Sequence, residues 1–79
     1  MLFFRKRNLR DHIASGDIFY RRMSLSMQEQ AKVLRITEDG QGIPHVHYEN
    51  TLLCTGHREH GGNKVLALDM FERQFRAAQ

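Results

Sequence analysis

The chain contains no tryptophan, one cysteine (Cys54) and one proline (Pro44). A lone cysteine excludes an internal disulfide, and with it the stapled plan of small secreted domains; it points to a reducing compartment, the cytoplasm. No stretch approaches the roughly 20 apolar residues needed to span a bilayer, so no membrane association is expected. The opening run Leu2-Phe3-Phe4 is too short for a signal peptide, and its charges follow that run instead of preceding it. Repeats and low-complexity tracts are absent.

What is present fits one globular domain. The 79 residues are 41% hydrophobic and 27% charged, proportions ordinary for a folded chain and unlike a disordered one. A domain of this length has a small core and little room for an enclosed substrate pocket. The net charge is +3. Four of the 12 basic residues, Arg5, Lys6, Arg7 and Arg10, fall in the first ten positions, leaving eight against 9 acidic residues in the remainder. The body is therefore near neutral, and residues 1–15 form a basic arm ahead of a domain over 16–79.

Within the arm, Leu9 and Ile13 at helical spacing, with Asn8 as a cap and Ser15-Gly16 as a stop, predict a short helical turn or a flexible lead-in. Ile18-Phe19-Tyr20 then reads as a strand. Met23 to Gln30 is polar with interspersed Met and Leu, and reads as a loop. Ala31-Lys32-Val33-Leu34-Arg35-Ile36 is a second strand, with Leu34 and Ile36 sharing one face at period two. Asp39-Gly40 predicts a tight hairpin turn, glycine supplying positive φ. Ile43 to Glu49 is its partner strand, with Pro44 at the strand start or on an edge. Val46 and Tyr48 point inward and His45 and His47 outward. Thr51 to Cys54 reads as a fourth strand, Thr55 to Asn63 as a polar loop, and Lys64 to Leu68 as a fifth strand. Asp69 and Glu72 have capping-box spacing, and Phe71 and Phe75, one helical turn apart, face the core together.

Five short strands, one tight hairpin and a C-terminal helical turn predict a small, strongly bent antiparallel barrel, in which closure removes exposed edges. From about Gly16 to Phe75 the pattern resembles the SH3-like small barrels, in particular Tudor-like and KOW-like modules. The resemblance rests on Gly16-Asp17-Ile18-Phe19-Tyr20, on Ala31 to Ile36 running through Asp39-Gly40 into His45-Val46-His47-Tyr48, and on Val65-Leu66-Ala67-Leu68. It implies a binding module for peptides, methylated side chains, or RNA and ribosomal partners, and not a catalyst. A methyl-cation cage needs several aromatics; the candidates are Phe19, Tyr20, Tyr48 and Phe71, most of them already assigned to the core.

Four constellations bear on chemistry. His45, His47, Cys54, His57 and His60 carry ligand types that zinc prefers, although a single cysteine matches no established zinc spacing. Cys54 with His57 or His60, and Glu59 to orient the base, can be written as a triad; Cys54 reads more simply as a small buried hydrophobe. Arg5, Lys6, Arg7 and Arg10, with Arg21 and Arg22, are candidate phosphate contacts. Leu2, Phe3, Phe4, Met23, Leu25 and Met27 are candidate partner-binding apolar residues.

The sequence thus predicts a non-catalytic binding or adaptor module with no cofactor, whose partner is another protein. A nucleic-acid or ribosome-associated accessory protein using the basic arm, and a small His/Cys metal-binding protein, are the alternatives; a homo-oligomer is compatible with an exposed strand edge.

Overall fold

The computed structural model describes residues 13–77. Strands β1 (Ile18–Ser24), β2 (Met27–Glu38), β3 (Pro44–Cys54) and β4 (His57–Ala67) are followed by helix α1 (Leu68–Gln74) and a short strand β5 (Arg76–Ala77). All pair antiparallel in one five-stranded sheet of order β4-β3-β2-β1-β5. The first four form a meander. Helix α1 then carries the chain from one edge of the sheet to the other, where β5 adds to β1 through Phe19↔Ala77 and Tyr20↔Arg76. Among the described residues β4 and β5 share no ladder, so the sheet is open between its two edges. Mainly β character, five antiparallel strands and a C-terminal helical element are as expected; the closed hydrogen-bonded barrel is not observed. No helix among the described residues is long and apolar enough to cross a membrane.

The number of strands agrees but they do not correspond one for one: two expected strands form the single β3, and β5 at Arg76–Ala77 was not expected. Met23 to Gln30, expected as a loop, holds the end of β1, a turn at Leu25-Ser26 and the start of β2. That turn has none of the Gly, Asn or Asp residues that announce a hairpin. Asn50, which separates the expected strands Ile43 to Glu49 and Thr51 to Cys54, is buried with Thr51 within one continuous β3. Their backbone groups have ladder partners on both sides, Ala31 and Gln30 on β2 and Gly62 and His60 on β4, so the polar side chains do not interrupt the strand. The polar stretch Thr55 to Asn63 is likewise a turn at Thr55-Gly56 followed by strand.

The β2–β3 turn follows its expected position but not its expected glycine. The positive-φ residue is Gly42 (φ 80°), not Gly40. Asp39 organises the loop: its Oδ1 accepts from the backbone N–H of Gln41 at 2.8 Å and of Ile43 at 3.0 Å. Those two bonds favour the carboxylate and hold its pKa below the usual value. Pro44, which has no N–H to give, opens β3.

The core comprises Ile13, Ala31, Val33, Val46, Tyr48, Leu68, Phe71 and Phe75, with Phe19, Ile36 and Leu66 packed against it. Ile36, Val46 and Tyr48 share the interior as expected, but Leu34 does not join this cluster. The register slips between Val33 and Arg35, and the extra residue resets the alternation, so Val33 takes the inward place opposite Tyr48. The helix starts at Leu68 with Ala67 as an N-cap that makes no side-chain bond. The capping box of Asp69 and Glu72 therefore does not form; Asp69 lies inside the first turn, where a negative charge suits the helix dipole.

Phe71 is 1% exposed and meets three other rings: Phe19 and Tyr48 edge-on at 5.2 and 5.5 Å, and Phe75 stacked at 4.6 Å. Truncating it removes contacts to two strands at once. Phe71→Ala is expected to destabilise the fold by about 3–5 kcal/mol, read as a lower urea midpoint; a loss under about 1 kcal/mol would contradict this packing.

Candidate binding cleft on the concave sheet face

One face of the sheet is set by alternation and register. Phe19 and Arg21 on β1 oppose Ala31 and Glu29 on β2; Ala31 and Glu29 oppose Asn50 and Leu52 on β3; Val33 opposes Tyr48, which opposes Lys64 on β4. Helix α1 covers only part of this face, because it is seven residues long. Beyond its last residue, Gln74, no other helix among the described residues lies on this face. A cavity of about 370 Å³ opens there, lined by Arg21, Met23, Glu29, Tyr48, Asn50, Leu52, Lys64, Val65, Leu66 and Gln74. Its size falls within the roughly 300–1,000 Å³ of small-ligand sites, and it has their mixture of apolar wall and few polar groups.

The polar groups are held on strands, except Gln74, which ends helix α1. Arg21 Nε donates to Glu29 Oε1 at 2.6 Å, and Arg21 Nη1 donates to Gln74 Oε1. The guanidinium also sits 5.1 Å from the centroid of the Phe75 ring, a cation–π contact. The Glu29 side chain is only 3% exposed against 29% for Arg21, so the pair neutralises a carboxylate that burial would otherwise penalise. Tyr48, also buried, has its pKa raised above the ordinary 10.0, first by desolvation and then by the negative charge of Glu29, with Arg21 opposing.

Asn50 is the unusual member. It is 3% exposed, and its Oδ1 is buried without a hydrogen-bond partner. Room for the amide comes from a bulge in β4: Asn50 faces Gly62 and Thr51 faces His60, leaving Gly61 as the extra residue. A Cβ on Gly61 would lie 2.7 Å from Asn50 Nδ2, closer than real contacts allow. A buried acceptor with no donor costs about 1–3 kcal/mol.

The residues singled out in the sequence are dispersed by comparison. Arg5, Lys6, Arg7, Arg10, Leu2, Phe3 and Phe4 lie outside the described residues. Arg21 is engaged with Glu29 and Gln74, while Arg22 is exposed on the opposite face of β1. Met23 is 45% exposed at the cleft, Leu25 is 95% exposed at the apex of the β1–β2 turn, and Met27 is half-buried beside it. The five proposed metal ligands do not converge. His45 and Cys54 are nine positions apart on β3, about 30 Å at roughly 3.3 Å per residue. His47 Nε2 bonds Thr37 Oγ1 at 2.8 Å, His45 Nδ1 bonds the Ile43 carbonyl at 2.9 Å, and His60 Nδ1 lies 3.4 Å from Thr51 Oγ1. Cys54 and His57 are cross-strand neighbours at the β3–β4 turn, but among the described residues no three His, Cys, Asp or Glu side chains group as metal ligands.

Glu29, Asn50, Lys64 and Gln74 were not expected as site residues. The signal for Glu29 was the alternation Met27, Glu29, Ala31, Val33, hidden by reading the first of these residues as loop. Comparison with protein-family models, with curated proteins and with solved structures finds no match.

Two measurements test this geometry. Asn50→Leu, which replaces the unpaired amide by an apolar side chain of similar shape, should raise the melting temperature by about 4 °C or more; a fall would show that the amide is satisfied in the free protein. Tyr48 should also make the fold sensitive to alkali. Its folded pKa is raised, so above pH 10.0 the unfolded chain loses the phenolic proton first and stability falls as pH rises. Melting curves from pH 9 to 11 should show a shallower decline for Tyr48→Phe than for wild type, and equal slopes would remove Tyr48 as the cause.

Proposed function

We propose that this chain is a small non-catalytic binding module of the cytoplasm, a bent sheet of SH3-like type whose concave cleft receives a segment of another protein. The supporting observation is the cleft itself: a half-covered sheet face on which apolar side chains surround a buried, neutralised carboxylate and an unpaired amide oxygen. The apolar wall of Leu52, Val65 and Leu66 supplies area that an incoming chain removes from water. A peptide suits such a cleft, because it carries backbone polar groups beside variable side chains.

Peptides selected by display on the full chain test this reading. They should bind wild type and the control Leu25→Asp equally, since Leu25 lies at a turn apex away from the cleft. Leu52→Asp, which lies on the cleft face opposite Glu29, should weaken them about tenfold or more, as loss of a central apolar contact does. Equal binding to both variants would place the binding surface elsewhere and refute the cleft.

A further inference from the structure

Strand register also sorts the charges of the sheet. Among the described residues basic and acidic side chains are equal in number, yet the two faces do not share them equally. The face turned away from α1 carries five exposed basic side chains: Arg22, Lys32, Arg35, Arg58 and Arg76. Pairing and alternation place them there. Arg58 opposes Leu53, Leu53 opposes Gln28 and Gln28 opposes Arg22; Arg76 opposes Tyr20, Lys32 opposes Glu49 and Arg35 opposes His47. Glu49 is the one carboxylate among these positions. Glu29, Glu38 and Glu59 lie on the cleft face, Asp69 and Glu72 on the helix, and Asp17 and Asp39 accept from backbone N–H groups in loops. Among the described residues no ion pair engages any of the five basic groups.

Tyr20 stands inside this positive field. It is half-buried, Arg22 follows it by two positions on the same side of β1, and Arg76 is its cross-strand partner on β5. Same-face neighbours of these two kinds are about 5–7 Å apart. We infer that this second face binds single-stranded nucleic acid, phosphates meeting the arginines while a base stacks on Tyr20. An aromatic platform flanked by cations is the combination that sequence-tolerant single-strand sites use. The row from Arg58 to Arg22 crosses three strand spacings, about 14 Å, which is wider than the roughly 12 Å major groove of a duplex, and paired bases would not reach the ring. The site lies across the sheet from the cleft, so it goes beyond the peptide reading and does not depend on it. The near-neutral charge of the domain conceals it, because the separation exists only once the strands are in register.

The probe is a labelled oligouridylate of about ten nucleotides, titrated with the full chain and followed by fluorescence anisotropy. Affinity should fall about fiftyfold or more between about 50 and about 200 mM salt, as four neutralised phosphates require. Arg22→Gln and Arg76→Gln should each weaken binding about threefold or more and make the salt dependence shallower. Arg73→Gln removes the same charge from the last turn of α1 and should leave binding unchanged. Tyr20 and Tyr48 are the two tyrosines and the chain has no tryptophan, so in Tyr48→Phe the emission reports Tyr20 alone and should be quenched by the oligonucleotide. Circular dichroism checks that each variant keeps the fold. Equal losses for Arg73→Gln and Arg22→Gln would replace the face by net charge, and no loss in either Arg22→Gln or Arg76→Gln would move binding elsewhere on the chain; both overturn the proposal. Unquenched Tyr20 emission overturns the stacking. Tighter binding to a duplex of the same length, or to phosphatidylglycerol vesicles, needs no variant to measure and overturns the single-stranded partner.

Discussion

The fold depends on how Phe71 closes one face of a single sheet. An antiparallel sheet with one apolar face must bury that face against something, and this chain has only a seven-residue helix with which to do it. Phe71 makes that short helix sufficient. Its ring reaches Phe19 on β1 and Tyr48 on β3 and stacks on Phe75 just past the helix end. Since α1 is joined to β4 at its start and to β5 beside β1 at its end, the ring cluster holds both sides of the sheet to one small element. The cleft follows from the shortness of that element, because a helix long enough to cover the whole face would leave no open end.

The open end is where the structure spends stability. Glu29 is buried in the sheet and kept there by Arg21, whose guanidinium also packs on Phe75. The ion pair is thereby tied to the same aromatic cluster that holds the helix. Replacing such a pair by apolar side chains is often neutral or stabilising, so its presence at the cleft, beside an unpaired Asn50, does not follow from folding alone. Two polar devices stand together at this cavity among the described residues.

The class of the fold was legible because it depends on patterns that few residues carry. Val46 and Tyr48 alternate, Phe71 and Phe75 lie one turn apart, and Pro44 marks a strand start; each holds in the structure. The strand limits were not legible, because polar composition is a poor guide to strand ends when both neighbours supply a ladder. Asn50 and Thr51 sit in mid-strand, and the Leu25-Ser26 turn has no special residue. Bulges defeated the alternation directly, moving the inward role from Leu34 to Val33. The cleft was illegible for the same reason. Arg21, Glu29 and Asn50 come together only through the register of three strands, which local sequence does not specify.

The β4 bulge shows how the cleft and the sheet edge constrain each other. β4 is eleven residues long and forms an edge of the sheet, with no strand among the described residues on its outer side. Long regular edges invite pairing with other strands, and proteins blunt them with bulges and charges. Here the register breaks at Gly61-Gly62, Gly62 has φ 86°, which non-glycine residues rarely adopt, and Arg58 and Lys64 stand on either side. The same break gives the Asn50 amide its space, since a Cβ at position 61 would collide with it. Removing the bulge to regularise the edge would also close the floor of the cleft. A regular β4 and a buried Asn50 are therefore mutually exclusive in this sheet, and the glycine pair is the sequence feature through which the second was kept.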